Sequence, residues 1–166
     1  MPAKRSAGIL LFRQVPAGVE VLLGHMGGPF WAKKDAAAWT VVKGEYEPPE
    51  EPAAAARREF TEELGLPAPE GEYVELGEVR QSGGKTVTVW AVAGELDPAA
   101  VVPGTFEMEW PPRSGRRQTF PELDRVEWFA LADAAEKIVK GQRAFLDRLV
   151  EHLPDLDHAD GGPGVG

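Results

Sequence analysis

Apolar residues fall in short blocks along this chain, and the period changes from block to block. Residues 6–12 (SAGILLF) are apolar after Ser6, which predicts a short buried strand. Residues 14–18 contain Pro16 and Gly18 and predict a turn. Residues 19–25 (VEVLLGH) predict a second strand, paired with the first as a hairpin. Residues 39–42 (WTVV) predict another short strand running into Lys43-Gly44. The clearest alternation is in residues 73–81 and 85–93. In the second of these, Val87, Val89 and Ala91 face one way and Thr86, Thr88 and Trp90 the other. They flank Ser82-Gly83-Gly84 and predict a hairpin. Residues 126–129 predict one more short strand.

Helical signals interrupt these strands. Glu50, Glu51 and Pro52 suit a helix start, because acids favour the positive end of the helix dipole and proline is tolerated in the first turn. The helix should run to about Leu64, with Gly65 as its left-handed terminator and Pro67 blocking continuation. Residues 131–139 and 142–152 also read as helical, with Gly141 between them. Phe145, Leu146, Leu149, Val150 and Leu153 form a core-facing stripe. Strands around a central helix, closed by further helices, predict an α/β or α+β layered domain over residues 1–153. Residues 97–121 are the least regular, and residues 154–166, rich in Gly, Asp and Pro, predict a flexible tail.

The 166 residues fit one domain with a real core. A net charge of −9 argues against nucleic acid or an anionic membrane as the main partner. It leaves room for a small phosphate ligand, because a bound divalent cation reverses the local field. The chain has no cysteine, which excludes disulfides, thiolate metal sites and a cysteine nucleophile. It is also compatible with a reducing cytoplasm, the expected location. No export signal or membrane span is evident, and the sequence leaves a homodimer open.

Candidate chemistry concentrates in residues 44–66 (GEYEPPEEPAAAARREFTEELGL). On a helical wheel Glu59, Glu62 and Glu63 share an arc of about 100°, beside an apolar flank centred on Phe60. Carboxylates that close repel one another. Either they are well solvated and partly neutralised by Arg57 and Arg58, or they hold a cation. Oxygen ligands of this kind suit Mg²⁺ or Mn²⁺.

The spacing adds to that. Gly44, Glu50 and Arg58-Glu59-Phe60-Thr61-Glu62-Glu63-Leu64-Gly65-Leu66 match every fixed position of G-x5-E-x7-R-E-U-x-E-E-x-G-U, where U is a bulky apolar residue. This resembles the Nudix box, with Phe60 bulkier than the usual aliphatic residue. Residues 39–44 (WTVVKG) are similar to the family's W-x-x-P-K-G approach, with Val42 in place of proline, and Pro49 stands where many members have glycine. The resemblance covers roughly residues 6–152.

The resemblance to Nudix hydrolases implies an α/β/α sandwich around a mixed sheet, with the box as a loop–helix–loop. It implies hydrolysis of a nucleoside diphosphate linked to another group, assisted by Mg²⁺ or Mn²⁺. Carried over by position, Glu59, Glu62 and Glu63 are the metal ligands, with the Lys43 carbonyl as a further one. Glu50 and Arg58 orient the helix and its loop, and Gly44 and Gly65 supply backbone freedom. Glu59 is one candidate general base. Glu122, six residues before Trp128, is the other.

Substrate contacts are harder to read. Arg113, Arg116 and Arg117 offer phosphate contacts or are plain surface arginines. Trp31 and Phe30 offer a stacking surface or pack their loop, and Lys33 and Lys34 carry the same ambiguity. His25 reads as a strand-end residue. No subfamily signature identifies the substrate. A non-catalytic Nudix-like nucleotide sensor is the alternative, disfavoured by the intact glutamate set.

Overall fold

The computed structural model describes residues 4–161; at Ser82 and beyond residue 153 only the backbone is described. Strands β1 (Arg5–Val15) and β2 (Gly18–Met26) form the first hairpin. Pro16 and Ala17 make its two-residue turn, and Gly18 closes it at φ 137°, a conformation that glycine adopts without strain. The apolar block of β1 is buried on both sides, as a continuous apolar run requires.

β1 is the organising strand because it changes neighbour along its length. Its first half, Arg5 to Ile9, pairs antiparallel with β4 (Val42–Tyr46), and its second half, from Phe12, pairs with β2. On its other side it runs parallel to β6 (Thr86–Ala93), which pairs with β5 (Val74–Arg80). β2 also carries the short β3 (Trp39–Thr40) and β9 (Leu123–Ala130). The result is one seven-stranded mixed sheet that forks where β1 leaves β4 for β2. A fork of this kind opens a crevice between diverging strands.

Helices cover both faces. Helix α1 (Pro52–Leu64) lays Ala55, Ala56, Phe60 and Leu64 on Ile9, Leu11, Leu22 and Val42. α2 (Leu131–Lys137) and α3 (Arg143–Gly161) close the opposite face, where Phe145, Leu146 and Leu149 meet Leu10, Leu23, Val87 and Val89. The expected α/β/α layering is thus present. No helix among the described residues is long and apolar enough to cross a membrane.

Two elements depart from expectation. Residues 97–121 contain a separate hairpin, β7 (Thr105–Glu109) with β8 (Arg117–Pro121). Its alternation was hidden because it pairs off the main sheet, with one face exposed and Phe106, Met108 and Phe120 only half-buried. The backbone of α3 also continues through residues 154–161 of the anticipated tail; residues 162–166 lie outside the described residues.

Phe60 is completely buried between α1 and the sheet. Phe60→Ala should lower unfolding free energy by about 3–5 kcal/mol, measured by urea denaturation.

Candidate active site

The loop before α1 is tied to the helix by one bidentate pair. Arg58 donates from Nε to Glu50 Oε2 at 2.7 Å and from Nη2 to Glu50 Oε1 at 2.8 Å. This is the planar fork that suits guanidinium and carboxylate. Its remaining Nη1 donates to Glu59 Oε1 at 2.8 Å and to Glu62 Oε2 at 3.0 Å. One guanidinium therefore holds three carboxylates. The Arg58 hydrogen bonds keep the Glu50 carboxyl below its ordinary value. In return, chiefly through Glu50, they raise the Arg58 guanidinium further above its own.

Gly44 is demanded by space. A Cβ there would lie 1.8 Å from Glu59 Oε2, so only a hydrogen lets the Glu59 carboxylate approach β4. Gly65 is demanded by conformation. It ends α1 at φ 68°, and its N–H donates to the Thr61 carbonyl at 2.8 Å.

These side chains open into a cleft of about 450 Å³ along β4. Glu59, Glu62 and Glu63 line it from α1, Lys43, Gly44 and Glu45 from β4, and Glu122 from the approach to β9. Glu122 is held there by its backbone. Its N–H donates to the Gly104 carbonyl at 2.8 Å, and its carbonyl accepts from Gly27 N–H at 2.9 Å. Gly104 N–H in turn donates to the Glu63 carbonyl at 3.3 Å, linking this approach to the end of α1.

The cleft is electrostatically unfavourable for its own acids. Burial, then the charges of Glu122 and Glu59, push the Glu63 carboxyl up to about 8. Burial raises Glu59 despite the opposing Arg58 bond, and burial raises Glu122 despite Lys43. Burial, then the charge of Lys85, lowers the Lys43 ammonium. Hard carboxylate oxygens under mutual repulsion fit a divalent cation by donor type. Among the described residues, no three carboxyl or imidazole groups are yet gathered around one point. The Arg58 bonds to Glu59 and Glu62 hold one oxygen of each away from such a point.

The structure brings Glu59, Glu62, Glu63, Lys43 and Glu122 to one cleft, and Glu50, Arg58 and Gly65 to supporting positions. It does not bring the other candidates there. Trp31 is half-buried against the α2/α3 core, with Lys34 over its ring at 5.2 Å. Arg113 and Arg116 lie exposed at the tip of the β7–β8 hairpin, and exposed Arg117 pairs with Glu107 at 3.5 Å. Phe30 stays exposed and meets Trp110 edge-on, with ring centroids 5.3 Å apart.

Sequence reasoning missed Glu45, Ser6 and Thr105 as lining residues, because strand partners and a hairpin root carry no motif. His25 lies at the end of β2, as read from the sequence. That ring is fully buried, with Nε2 donating to the Lys34 carbonyl at 2.6 Å and Nδ1 lying 3.0 Å from both Asp124 carboxylate oxygens. It joins the loop carrying Trp31 to the start of β9, two residues from Glu122.

Native Glu63 releases its proton near pH 8, against an ordinary value of 4.5. The native state therefore holds a proton that the unfolded chain has lost, and metal-free stability should fall as pH rises between those values. Thermal melts in EDTA across that range should show the fall, and Glu63→Gln should flatten it.

The NUDIX domain family model matches residues 2–149. No curated protein matches the chain in sequence. Among solved structures, an Ap4A hydrolase of C. elegans in a binary complex superposes with TM-score 0.64 and 22% identity, over 92% of this chain and 99% of that one. The NUDIX domain of Shewanella oneidensis NrtR, complexed with ADP ribose, gives 0.61 and 15%, over 92% and 90%. A MutT protein of Methanosarcina mazei Go1 gives 0.58 and 20%, over 92% and 96%. These likenesses speak for the fold, and the family match over nearly the whole chain is independent of them. The chain belongs to the NUDIX family.

Proposed function

We propose that this chain is a divalent-cation-dependent pyrophosphohydrolase that cleaves the phosphoanhydride of a nucleoside diphosphate linked to another group. Membership of the family makes hydrolysis of nucleotide derivatives the expected chemistry. The observation that carries the reading is the cleft in which three box glutamates and Glu122 crowd until Glu63 is pushed up to about 8. Such crowding is relieved by a cation. Similarity to structures named for Ap4A hydrolysis and for an ADP ribose complex agrees with a nucleotide substrate.

Glu59, Glu62 and Glu63 would hold Mg²⁺, or Mn²⁺ in its place, with the Lys43 carbonyl as a further oxygen ligand. When bound, the cation neutralises diphosphate charge and lowers the pKa of an attacking water. The protein supplies the rest. Lys43 is the cation among the side chains lining the cleft, and its ammonium offsets phosphoryl charge there. Glu122 takes the proton from the attacking water. The water oxygen bonds to phosphorus, the bridging P–O bond breaks, and the leaving phosphoryl oxygen keeps the electron pair. Glu122 suits this role better than Glu59. Burial raises the proton affinity of both carboxyls, but Glu122 has no side-chain hydrogen-bond partner among the described residues. Glu59 has one oxygen on Arg58 and the other against Gly44. Arg113, Arg116, Arg117 and Trp31 stand away from this chemistry, so any part they play is in gripping the remote end of the substrate.

Formation of nucleotide products should be followed by chromatography over a panel of nucleoside triphosphates, dinucleoside polyphosphates and nucleotide sugars with Mg²⁺ or Mn²⁺. Turnover should require the metal. Glu122→Gln should lower kcat by about 10²–10⁴-fold with little change in metal affinity. Glu62→Gln and Glu63→Gln should weaken metal binding and turnover together. Turnover that survives both would overturn the metal assignment. Nucleotide binding without turnover of any compound would favour the sensor.

A further inference from the structure

A second groove lies on the α1 side of the sheet and shares no lining residue with the cleft. The register of four adjacent strands puts Tyr46 of β4, Arg5 of β1, Thr86 of β6 and Arg80 of β5 in one transverse row. Cross-strand partners point to the same face, so the four side chains share it. Strands about 4.8 Å apart make this row about 14 Å long and separate the two arginines by about 10 Å at the backbone. The row floors a groove of about 700 Å³, and Trp90, four residues along β6 on the same face, lies in it as well.

Four polar side chains of this groove, those of Arg5, Arg80, Tyr46 and Trp90, lack a partner among the described residues. Both arginines are exposed. Among the described residues, neither makes an ion pair or a side-chain hydrogen bond, although Glu51, Glu75 and Glu78 line the same groove. Arg13, Arg58, Arg117 and Arg125 are paired, whereas Arg113 and Arg116, like the two groove arginines, make no ion pair among the described residues. The Tyr46 hydroxyl and the Trp90 indole N–H likewise have no protein partner among the described residues. Both rings pack one side on the α1 core and are only half-buried.

We propose that this groove binds a nucleotide at a site separate from the catalytic cleft. The two guanidiniums take the phosphate, because each offers a planar pair of donors and both are free to swing over the Thr86 hydroxyl between them. The open sides of Trp90 and Tyr46 take the base by stacking. The carboxylates of the groove accept from ribose hydroxyls and base amino groups, which explains acids beside an anion site. A bare phosphate uses only part of this constellation. The site stands whether or not the catalytic reading does, because none of its residues belongs to that reading.

Isothermal titration in EDTA separates the two sites, since the catalytic one then lacks its cation. AMP should bind the wild-type chain, and inorganic phosphate should bind at least about tenfold more weakly. Arg5→Gln combined with Arg80→Gln should weaken AMP by at least about tenfold, as loss of charged hydrogen bonds does. Trp90→Leu should also weaken it, and Glu62→Gln with Glu63→Gln should leave it unchanged. Arg80→Gln alone, on the edge strand, guards against misfolding of the double variant and should weaken AMP in the same direction. No AMP binding, or affinity indifferent to the arginine variants, would overturn the site. Phosphate binding as tight as AMP would overturn the nucleotide assignment.

Discussion

Four hydrogen bonds from the Arg58 guanidinium hold the box together. Two go to Glu50 and fix the loop, one goes to Glu59 and one to Glu62. The loop alone has little reason to stay folded, being short and rich in proline and glutamate. Removing Arg58 would leave Glu59, which is 7% exposed, charged and without its donor. Losing one partner of a partly buried pair costs more than the pair contributes, because the other charge stays desolvated. The catalytic reading of the cleft thus depends on a residue that faces it from behind.

The second constraint is the fork in the sheet. β1 serves β4 with one half and β2 with the other, so the diverging strands leave a crevice beside β4. α1 enters this crevice from one side and the Glu122 approach from the other. Two close passages shape the crevice, one at the Glu122 approach and one where α1 meets β4. Gly27 would place a Cβ 1.9 Å from the Pro121 carbonyl, and Gly44 would place one 1.8 Å from Glu59. Glycine at these points is a matter of room, not of φ. Burial and neighbouring charge push the Glu63 carboxyl up to about 8, so it keeps a proton that a free carboxyl would lose.

The outer groove and the cleft share the β1 and β4 segments. Alternation along these strands sends Ser6 and Glu45 to one face and Arg5 and Tyr46 to the other, while α1 lines the cleft from the same face as the groove.

The sequence by itself determined the box and its helix, and the family resemblance set the roles expected of its acids. Wheel geometry grouped Glu59, Glu62 and Glu63, and the Gly65 stop and the hairpin around Gly83 follow from local backbone preference. These are short-range properties, legible because neighbours in sequence are neighbours in space. Tertiary structure decided everything that needs two distant segments. It brought Glu122 to Glu63, placed His25 between Lys34 and Asp124, and put Trp31 into packing instead of the cleft. It paired residues 105–109 with 117–121 and carried the arginines of that hairpin away from the acids. It also lined up Arg5 and Arg80, 75 positions apart in sequence, through a register no local pattern records. Burial, which sets the proton affinities of Glu63 and Glu122, exists only once those segments meet.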